Sequence, residues 1–596
     1  MISERVQKVV AEWAQARGLE EIPACQLERP AEESFGDYAT PLCMQIAKKA
    51  GAAPRLLAEE LRERLLSEPR VQEVVDDIQV AGPGFLNFYL SPFAYAQAVR
   101  EMLAEGEWIG KGTDKPRPRI NLEFVSVNPN GPLHVGHGRY AAYGDSLHRL
   151  LKYSGLNLST EYYINDYGRQ MDRFGRSVAA RYAQSFGLDL AVPADGYQGD
   201  YVKDIALLLR GEVGDRYLGV LEKVAAVLAG GKGDATATVS SRAPLQAEEE
   251  GEEDDGVPAG EDWPEVPGLA EALVFFRERS CQAMLAQIRE ELEEFGVVFD
   301  VWFSESSLHT SGRVQKVVER LLAAGEAYRK DGAVWLRTTS RGDDKDRVLI
   351  RKNGQPTYFA ADIAYHENKL ERGFDHLINI WGADHHGYVP RMKAAVEILS
   401  GRPDTLEVII GQLVNLLEQG ELRQMSTRRG EMVTLRELTE AIGVDAARFF
   451  LVSRSPDQAL DLDLDLARRQ SQENPVYYVQ YAHARIASIL RNAPSDLEAG
   501  VPADGEVFLS PYERDLIKRL ESFGAVVQDA AERRAPHRIA AYAQELAGDF
   551  HVFYRHCRVL GTKPATASSR LALCVLTKRV IGRCLDLLGV SAPESM

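Results

Sequence analysis

Two short stretches of the chain combine residue types that suit phosphate chemistry. The first is His134-Val135-Gly136-His137. Two imidazoles flanking a glycine offer hydrogen-bond donors to phosphate oxygens as charge builds during nucleotidyl transfer, and the glycine lets a nucleotide approach the backbone. At the start of a helix, free N–H groups and the positive end of the helix dipole add to the attraction for a triphosphate. Taken alone, H-x-G-H is also what two histidines in an ordinary loop look like. The second stretch is Gln424-Met425-Ser426-Thr427-Arg428-Arg429-Gly430. A basic, glycine-ended loop with a hydroxyl suits a second phosphate clamp and, alone, equally reads as a solvated basic loop. A third cluster, Asp384-His385-His386, has the residue types of a metal site. Three adjacent ligands rarely reach one ion, and no other cluster supports them, so no metal site is expected.

The elements that must hold these residues are legible in outline. Ile120 to Val127 is a short strand-like run that leads into the turn Pro129-Asn130-Gly131-Pro132 and then Leu133 to Gly138. A strongly helical stretch, Arg139 to Ser154, follows and ends at Gly155. Strand, Gly/Pro loop and helix is the opening of a nucleotide-binding α/β domain. A second alternating region spans Ala333 to Ile380, with strands expected at Ala333–Leu336, Arg347–Ile350 and Leu377–Trp381. Before all this, residues 1 to about 110 read as a small α/β unit. It has helices near 3–17 and 54–68 and a strand-like run from Val80 to Leu90 that turns at Gly82-Pro83-Gly84. Gly110 to Arg119 reads as a linker. Residues 229–265 are low in complexity, first Gly/Ala/Thr/Ser, then acidic, then Pro-rich. Such a segment cannot bury enough apolar surface to offset chain entropy and is expected to be a disordered insertion. From about 464 onward strand signals vanish. Amphipathic patterns near 475–492, 511–530, 536–560 and 568–588 predict a helical bundle.

Composition bounds the function. At ~100–200 residues per domain the 596 residues make three or four domains. Hydrophobic residues are 45% and charged residues 27%, ordinary for a globular protein. No apolar run approaches the ~20 residues of a membrane span, and Met1-Ile2-Ser3-Glu4-Arg5-Val6 lacks the apolar core of a signal peptide. Six cysteines without a C-x-x-C pair argue against a zinc ribbon or a disulfide framework and fit a reducing cytoplasm. The net charge of −18 runs against nucleic-acid binding, but seven of the acids crowd into Glu248 to Asp255, and without them the balance is −11. Local basic clusters, Arg423 to Arg429 and Arg468-Arg469, leave an RNA partner open, since nucleic acid responds to local patches.

In this order and separation the two phosphate stretches resemble the paired signatures of class I aminoacyl-tRNA synthetases. The likeness narrows to the bacterial form of the arginyl-tRNA synthetases. It is carried by Asn121 to Arg139, Tyr162 to Gln170, Phe299 to Glu305, Trp381 to Tyr388, Asn474 to Arg485 and Leu588 to Glu594. It covers nearly the whole chain outside the acidic insertion.

The resemblance implies activation of L-arginine with ATP, accompanied by Mg²⁺, and transfer to the 3′ end of tRNA(Arg), with bound tRNA needed before the adenylate forms. It implies that Tyr358 and Asp362 grip the guanidinium, together with Glu123. Their i, i+4 spacing would put Tyr358 and Asp362 on one helix face, although the pair alone is also a plain helix-surface pair. Two acids and a phenol suit selection of arginine over lysine, since a planar guanidinium pairs bidentately. It further implies that Ser126 and Asn128, with His137 and His386, hold the α-amino and carboxylate groups. His134, Gly136 and His137, with Met425 and Ser426, match the ATP site. One feature departs from the family's pattern. The second signature usually has a lysine at its start and another after the Ser; here these are Gln424 and Thr427, and the position that compensates in some relatives is Gly131. Arg428 and Arg429 are then the candidate cations, with Arg428 the catalytic one.

The implied architecture is multidomain α/β. Residues 1–110 form an N-terminal domain touching the outer corner of the tRNA, where Asn87, an exposed Asn beside aromatics, reads a base edge; a strand-end Asn that caps a turn is the plain alternative. Residues 117–405 form a Rossmann-type catalytic domain with a helical insertion at about 167–300. Residues 406–463 form a stem-contact region carrying the second signature. Residues 464–596 form an anticodon-binding helical domain, where Tyr477, Tyr478 and Tyr481 would stack on bases, although aromatics at this spacing are as often core. A cytoplasmic monomer is implied.

Overall fold

The computed structural model describes residues 2–19, 22–30, 32–116, 118–230, 263–422, 433–502, 507–508 and 510–596. The chain divides into two compact units. One comprises Met1–Gly112, Gln470–Leu587 and Ser591–Met596; the other comprises Thr113–Arg469 and Leu588–Val590.

The second unit is built on five parallel strands: β1 (Arg119–Glu123), β2 (Asn157–Ile164), β3 (Val301–Ser304), β4 (His376–Gly382) and β5 (Leu406–Gly411). Their order is β5-β4-β1-β2-β3. Helices fill the crossovers: α1 (Val135–Tyr153) after β1, α2 (Arg169–Ser185) and α3 (Leu269–Glu294) after β2, and α4 (Tyr358–Glu371) before β4. The interior of β1 is buried on both faces, as a central parallel strand must be. Successive crossovers run outward in opposite directions from β1 and β4. The carboxyl ends of these two neighbours therefore open a crevice, the usual ligand position in such sheets. Below it, Phe359, Ile363 and Tyr365 of α4 pack with Val314, Val317 and Leu321 in one apolar cluster.

Three details differ from the sequence reading. The strand expected through Val127 stops at Glu123, and Val125 and Ser126 turn the chain with φ of 68° and 45°. The helix expected from Arg139 begins at Val135, because His134 serves as its N-cap. Ala333–Leu336 and Arg347–Ile350 are strands, but in a separate antiparallel sheet in which Ala333–Leu336 lies between Ala327–Lys330 and Arg347–Ile350. The links between them are too short for the dozen or more residues that a parallel crossover needs. Leu377–Trp381 does join the parallel sheet, within β4. A third small sheet is formed by Val414–Glu418, Glu421–Leu422 and Leu460–Asp463.

In the first unit a three-stranded antiparallel sheet places Phe85–Leu90 between Tyr38–Thr40 and Val75–Ala81. The hairpin turns where Gly82-Pro83-Gly84 predicts it, with Gly82 at φ 51°. Helices Ile2–Ala16 and Pro54–Leu66 match expectation; Leu42–Ala50 and Pro92–Glu105 were not anticipated. The carboxyl-terminal helices are Pro475–Arg491, Pro511–Glu521, Phe523–Glu532, His537–His556 and Pro564–Leu588, so the helix expected over 511–530 is two, divided at Ser522. Among the described residues no helix is long and apolar enough to cross a membrane. Most of the low-complexity segment, residues 231–262, lies outside the described residues.

Candidate active site

His134 is the N-cap of α1. Its Nδ1 accepts the backbone N–H of Gly136 (3.1 Å) and of His137 (3.4 Å), while Nδ1 of His137 accepts the N–H of His134 (3.3 Å). The two histidines thus make a reciprocal capping box of the kind usually made by Ser or Thr with Glu. Their rings stack at 3.4 Å between centroids. Burial pushes the His134 imidazole down to about 4, and burial with the neighbouring His134 holds His137 well below the usual histidine range. Both rings are therefore neutral near pH 7. Because each Nδ1 accepts, each proton sits on Nε2, which is left as the donor. The expectation of free N–H groups at this helix end is corrected. Gly136 and His137 donate to His134, and Val135 donates to Val433 O at 3.1 Å. At this end of the helix the histidine Nε2–H groups are donors not used in the cap.

The bond from Val135 belongs to an antiparallel bridge, His134 against Thr434, completed by Leu435 N to Leu133 O at 2.7 Å. Thr434 caps the next helix, α5 (Leu435–Ile442), in its own capping box with Glu437. Gln424 to Gly430, including Met425, Ser426 and Arg428, lie outside the described residues. Val433 to Leu435, a few residues beyond them, are hydrogen-bonded to the first signature and to Leu133 just before it.

Tyr358 and Asp362 occupy the first turns of α4, capped by Thr357. Tyr358 is 56% exposed, and a Cβ on Gly168 (φ 95°) would lie 3.3 Å from its hydroxyl, so a side chain there would crowd the ring. Asp362 is half-buried, and its Oδ2 accepts the hydroxyl of Tyr388 at 2.6 Å. Burial raises its carboxyl to about 7; Glu305 and Glu123 push the same way, against the Tyr388 hydrogen bond and Lys369. Glu123 ends β1, 6% exposed, with Oε2 accepting Nζ of the fully buried Lys369 at 2.6 Å.

Two residues of this pocket were not singled out from sequence. Tyr388 ends the 3-10 turn Ala383–Tyr388 and reaches Asp362, whereas His386, the residue expected to contribute from this turn, is exposed. Glu305 follows β3. It is 2% exposed, its Oε2 makes no hydrogen bond among the described residues, and burial raises its carboxyl. The only sequence signal for either was membership in a quoted family stretch.

Ser126 and Asn128 lie on the loop between β1 and α1. Ser126 Oγ accepts the N–H of Tyr163 (3.1 Å), and Asn128 Nδ2 donates to Gln170 Oε1 (2.5 Å). Asn130 shares that Gln170 oxygen at 3.0 Å and donates to the Tyr197 hydroxyl at 2.8 Å. The loop is thereby pinned to β2 and α2.

Three family models match the chain. Arginyl tRNA synthetase N terminal domain matches residues 1–90; tRNA synthetases class I (R), catalytic domain, matches 272–471; and DALR anticodon binding domain matches 479–596. The arginine–tRNA ligase of Azoarcus sp. (strain BH72) is 47% identical over 583 residues, 96% of this chain and 95% of its own. That of Bacillus subtilis (strain 168) is 42% identical over 604 residues, spanning 100% of both. The chain belongs to the arginyl-tRNA synthetase family. A putative arginyl tRNA synthetase from Campylobacter jejuni superposes with a TM-score of 0.69 at 31% identity, covering 85% of this chain and 100% of its own. The Thermus thermophilus arginyl-tRNA synthetase superposes with a TM-score of 0.71 over 100% of both chains; at 24% identity this likeness speaks to the fold alone.

For an arginyl-tRNA synthetase the remaining candidates are those facing tRNA. Asn87 is 4% exposed, which corrects the expectation of an exposed Asn. It lies in the central strand, opposite Ala39 and Gln79, and alternation puts it on one face with exposed Phe85. Tyr477, Tyr478 and Tyr481 are half-buried on Pro475–Arg491. Tyr477 and Tyr481 stack at 6.1 Å, Tyr478 lies 4.8 Å from the ring of His551, and Arg485 sits 4.6 Å over Tyr481. The three tyrosines are thus partly engaged with one another and with the bundle.

Proposed function

We infer that this chain is an arginine–tRNA ligase that activates L-arginine with ATP and transfers it to the terminal ribose of tRNA(Arg). One observation carries the reading. Asp362 and Glu123 come from different elements, and each has one oxygen already committed, to Tyr388 and to Lys369. Each therefore offers one further acceptor, with buried Glu305 a third acid nearby. Separate acceptors suit the fan of N–H donors on a guanidinium better than a compact ammonium. Tyr358 covers the mouth. Ser126 and Asn128, with His137 and His386, hold the α-ammonium and carboxylate.

The arginine carboxylate attacks the α-phosphate in line and pyrophosphate leaves; the ribose hydroxyl then attacks the acyl carbon and AMP leaves. Catalysis is positioning and charge stabilisation, with no side chain as nucleophile. The Nε2–H groups of His134 and His137 donate to the phosphates beside Gly136, with Mg²⁺ arriving on the nucleotide. Met425 and Ser426 belong to the ATP site, and Arg428 supplies positive charge for the departing pyrophosphate in place of lysine. Residues 1–110 and residues 464–596, the latter through Tyr477, Tyr478 and Tyr481, contact the tRNA, as does the stem-contact region 406–463, while residues 117–405 carry the chemistry. The six free thiols suit a reducing cytoplasm, where the chain acts as a monomer.

The test is aminoacylation of total bacterial tRNA with each of the twenty amino acids. Charging with arginine alone is expected. Charging with another amino acid, or tRNA binding without charging by any, would remove this reading in favour of a synthetase of other specificity or an RNA-binding protein.

A further inference from the structure

Behind the pocket acids lies a buried polar chain that the reaction does not call upon directly. Lys369, on α4 two turns beyond Asp362, is 0% exposed. Its ammonium donates to Glu123 Oε2 at 2.6 Å and to Asn379 Oδ1 at 3.2 Å, and it lies 4.4 Å over the ring of Tyr365. Asn379, on β4, donates through Nδ2 to His366 Nε2 at 3.0 Å. His366 Nδ1 in turn donates to the backbone carbonyl of Asp362 at 2.7 Å. Burial and Lys369 hold His366 down at about 3, so its ring is neutral, and accepting on Nε2 puts its proton on Nδ1. Every link therefore has a fixed direction: from Lys369 through Asn379 and His366 to the turn that carries Asp362. A buried lysine is costly unless its charge and donors are satisfied; here two of its three donors are hydrogen-bonded and the ammonium lies over the Tyr365 ring.

We propose that Lys369 is a positioning residue for arginine selection, holding Glu123 by one oxygen and tying it through Asn379 and His366 to Asp362. This rests on the reading that Glu123 and Asp362 grip the guanidinium. The pocket gathers three acids, Glu123, Asp362 and Glu305, for one incoming cation. The titratable and charged groups of this neighbourhood include Glu123 from β1, Tyr163 and Glu161 from β2, Asp362, Tyr365 and His366 from α4, Arg372 just after α4 (paired with Glu161), Glu305 after β3 and Tyr388 from the 3-10 turn. Lys369 is the one cation acting on Asp362 in this set, and it opposes the protonation that burial favours. It has two effects: it cancels one acid from behind and leaves Glu123 a single free oxygen in a fixed place.

The experiment is steady-state aminoacylation by full-length Lys369→Met and Lys369→Arg, with saturating tRNA, across pH. Lys369→Met is expected to raise the arginine KM at least about tenfold while kcat at saturating arginine changes less than about threefold. The midpoint of the pH profile of kcat/KM for arginine moves upward by about one unit, because Asp362 holds its proton longer. Lys369→Arg recovers part of the KM. A purely structural role would lower thermal stability without moving that midpoint. The Glu123→Gln background keeps the idea testable if Lys369→Met alone fails to fold, since Glu123→Gln with Lys369→Met has no unpaired buried charge. There, adding Lys369→Met should raise KM less than about threefold over Glu123→Gln alone. An unchanged KM with an unmoved midpoint, or losses that multiply in the double variant, overturns the proposal. The underlying reading fails separately, if Asp362→Asn and Glu123→Gln both leave the arginine KM unchanged.

Discussion

A guanidinium keeps its charge at every pH an enzyme tolerates, but Asp362, the acid proposed to meet it here, does not. With the Asp362 carboxyl raised to about 7, a share of empty pockets carries a proton at neutral pH. Arginine selects the carboxylate, so binding below pH 7 must expel that proton. The arginine KM is expected to be flat above pH 7 and to rise as pH falls through it, approaching tenfold per unit. Asp362→Asn should lower kcat/KM for arginine at least about 100-fold and abolish that acid limb. A KM indifferent to pH and to the substitution would take Asp362 out of the pocket. At the second signature, Arg428→Ala is expected to lower kcat while sparing the arginine KM, because a cation on departing pyrophosphate matters only in the transition state. A change confined to the KM for tRNA would make the loop an RNA contact. Tyr358 and Asp362 were singled out through the family resemblance; their spacing put them on one helix but by itself read as a plain helix-surface pair. Tyr388 and Glu305 were not singled out, because only the crossovers that follow β3 and β4 bring them to Asp362. Asn87 was misjudged because strand alternation gives the face but not what covers it.

At the level of elements, α1 separates two duties of one residue. His134 caps the helix through Nδ1 and presents Nε2–H outward. Asn at an N-cap keeps the first duty and drops the second. His134→Asn is therefore expected to leave the unfolding midpoint near wild type and lower kcat about 100-fold, whereas His134→Ala lowers kcat similarly and also loses about 1 kcal/mol of stability. Full activity in the Asn variant would show that the ring donor is not used. The sequence located this helix, yet began it at Arg139, because histidine is not an ordinary capping signal. The strand before it was carried through Val127 for a similar reason. Val125 is a good strand former, and nothing local announces its φ of 68°. The neighbouring anchors, Tyr163 to Ser126 and Tyr162 to Val127 O (3.0 Å), come from β2 and hold that turn from outside the segment.

For the whole chain, the least legible fact is which segments fold together. Residues 1–112 share a compact unit with most of the carboxyl-terminal helices, while Leu588–Val590 belong with the parallel sheet. Arg448, on the helix Val444–Val452, shows what the last three do there. Fully buried, it pairs with Asp145 of α1 and donates to Phe295 O (2.8 Å) and Leu588 O (3.0 Å); Ser146 Oγ adds a bond to Leu588 O at 3.3 Å. Gly589, at φ 64°, leaves no room for a Cβ, which would lie 2.1 Å from Nη2 of Arg448. Arg448→Met leaves Asp145 without this buried partner and should cost about 3–5 kcal/mol. Gly589→Ala should also lower the unfolding midpoint, with both effects read in thermal denaturation. Wild-type midpoints in both variants would show that the chain's end is dispensable to this unit. Patterning along the chain shows where helices are; a single buried guanidinium joining four segments leaves no periodic trace.

The acids of the pocket, each with one oxygen already engaged, also bear on fidelity. L-citrulline has the length and planarity of arginine but carries a neutral urea, whose carbonyl oxygen accepts hydrogen bonds. Facing ionised Asp362 and Glu123, that oxygen meets only lone pairs, and an acceptor buried against acceptors is rejected far more strongly than a missing methylene. A protonated Asp362 has an O–H to offer it. The same acidification that weakens arginine therefore opens the pocket to the impostor, so discrimination between the two should narrow from both sides as pH falls through about 7. Competition of citrulline against arginine in aminoacylation above and below that pH measures the narrowing directly.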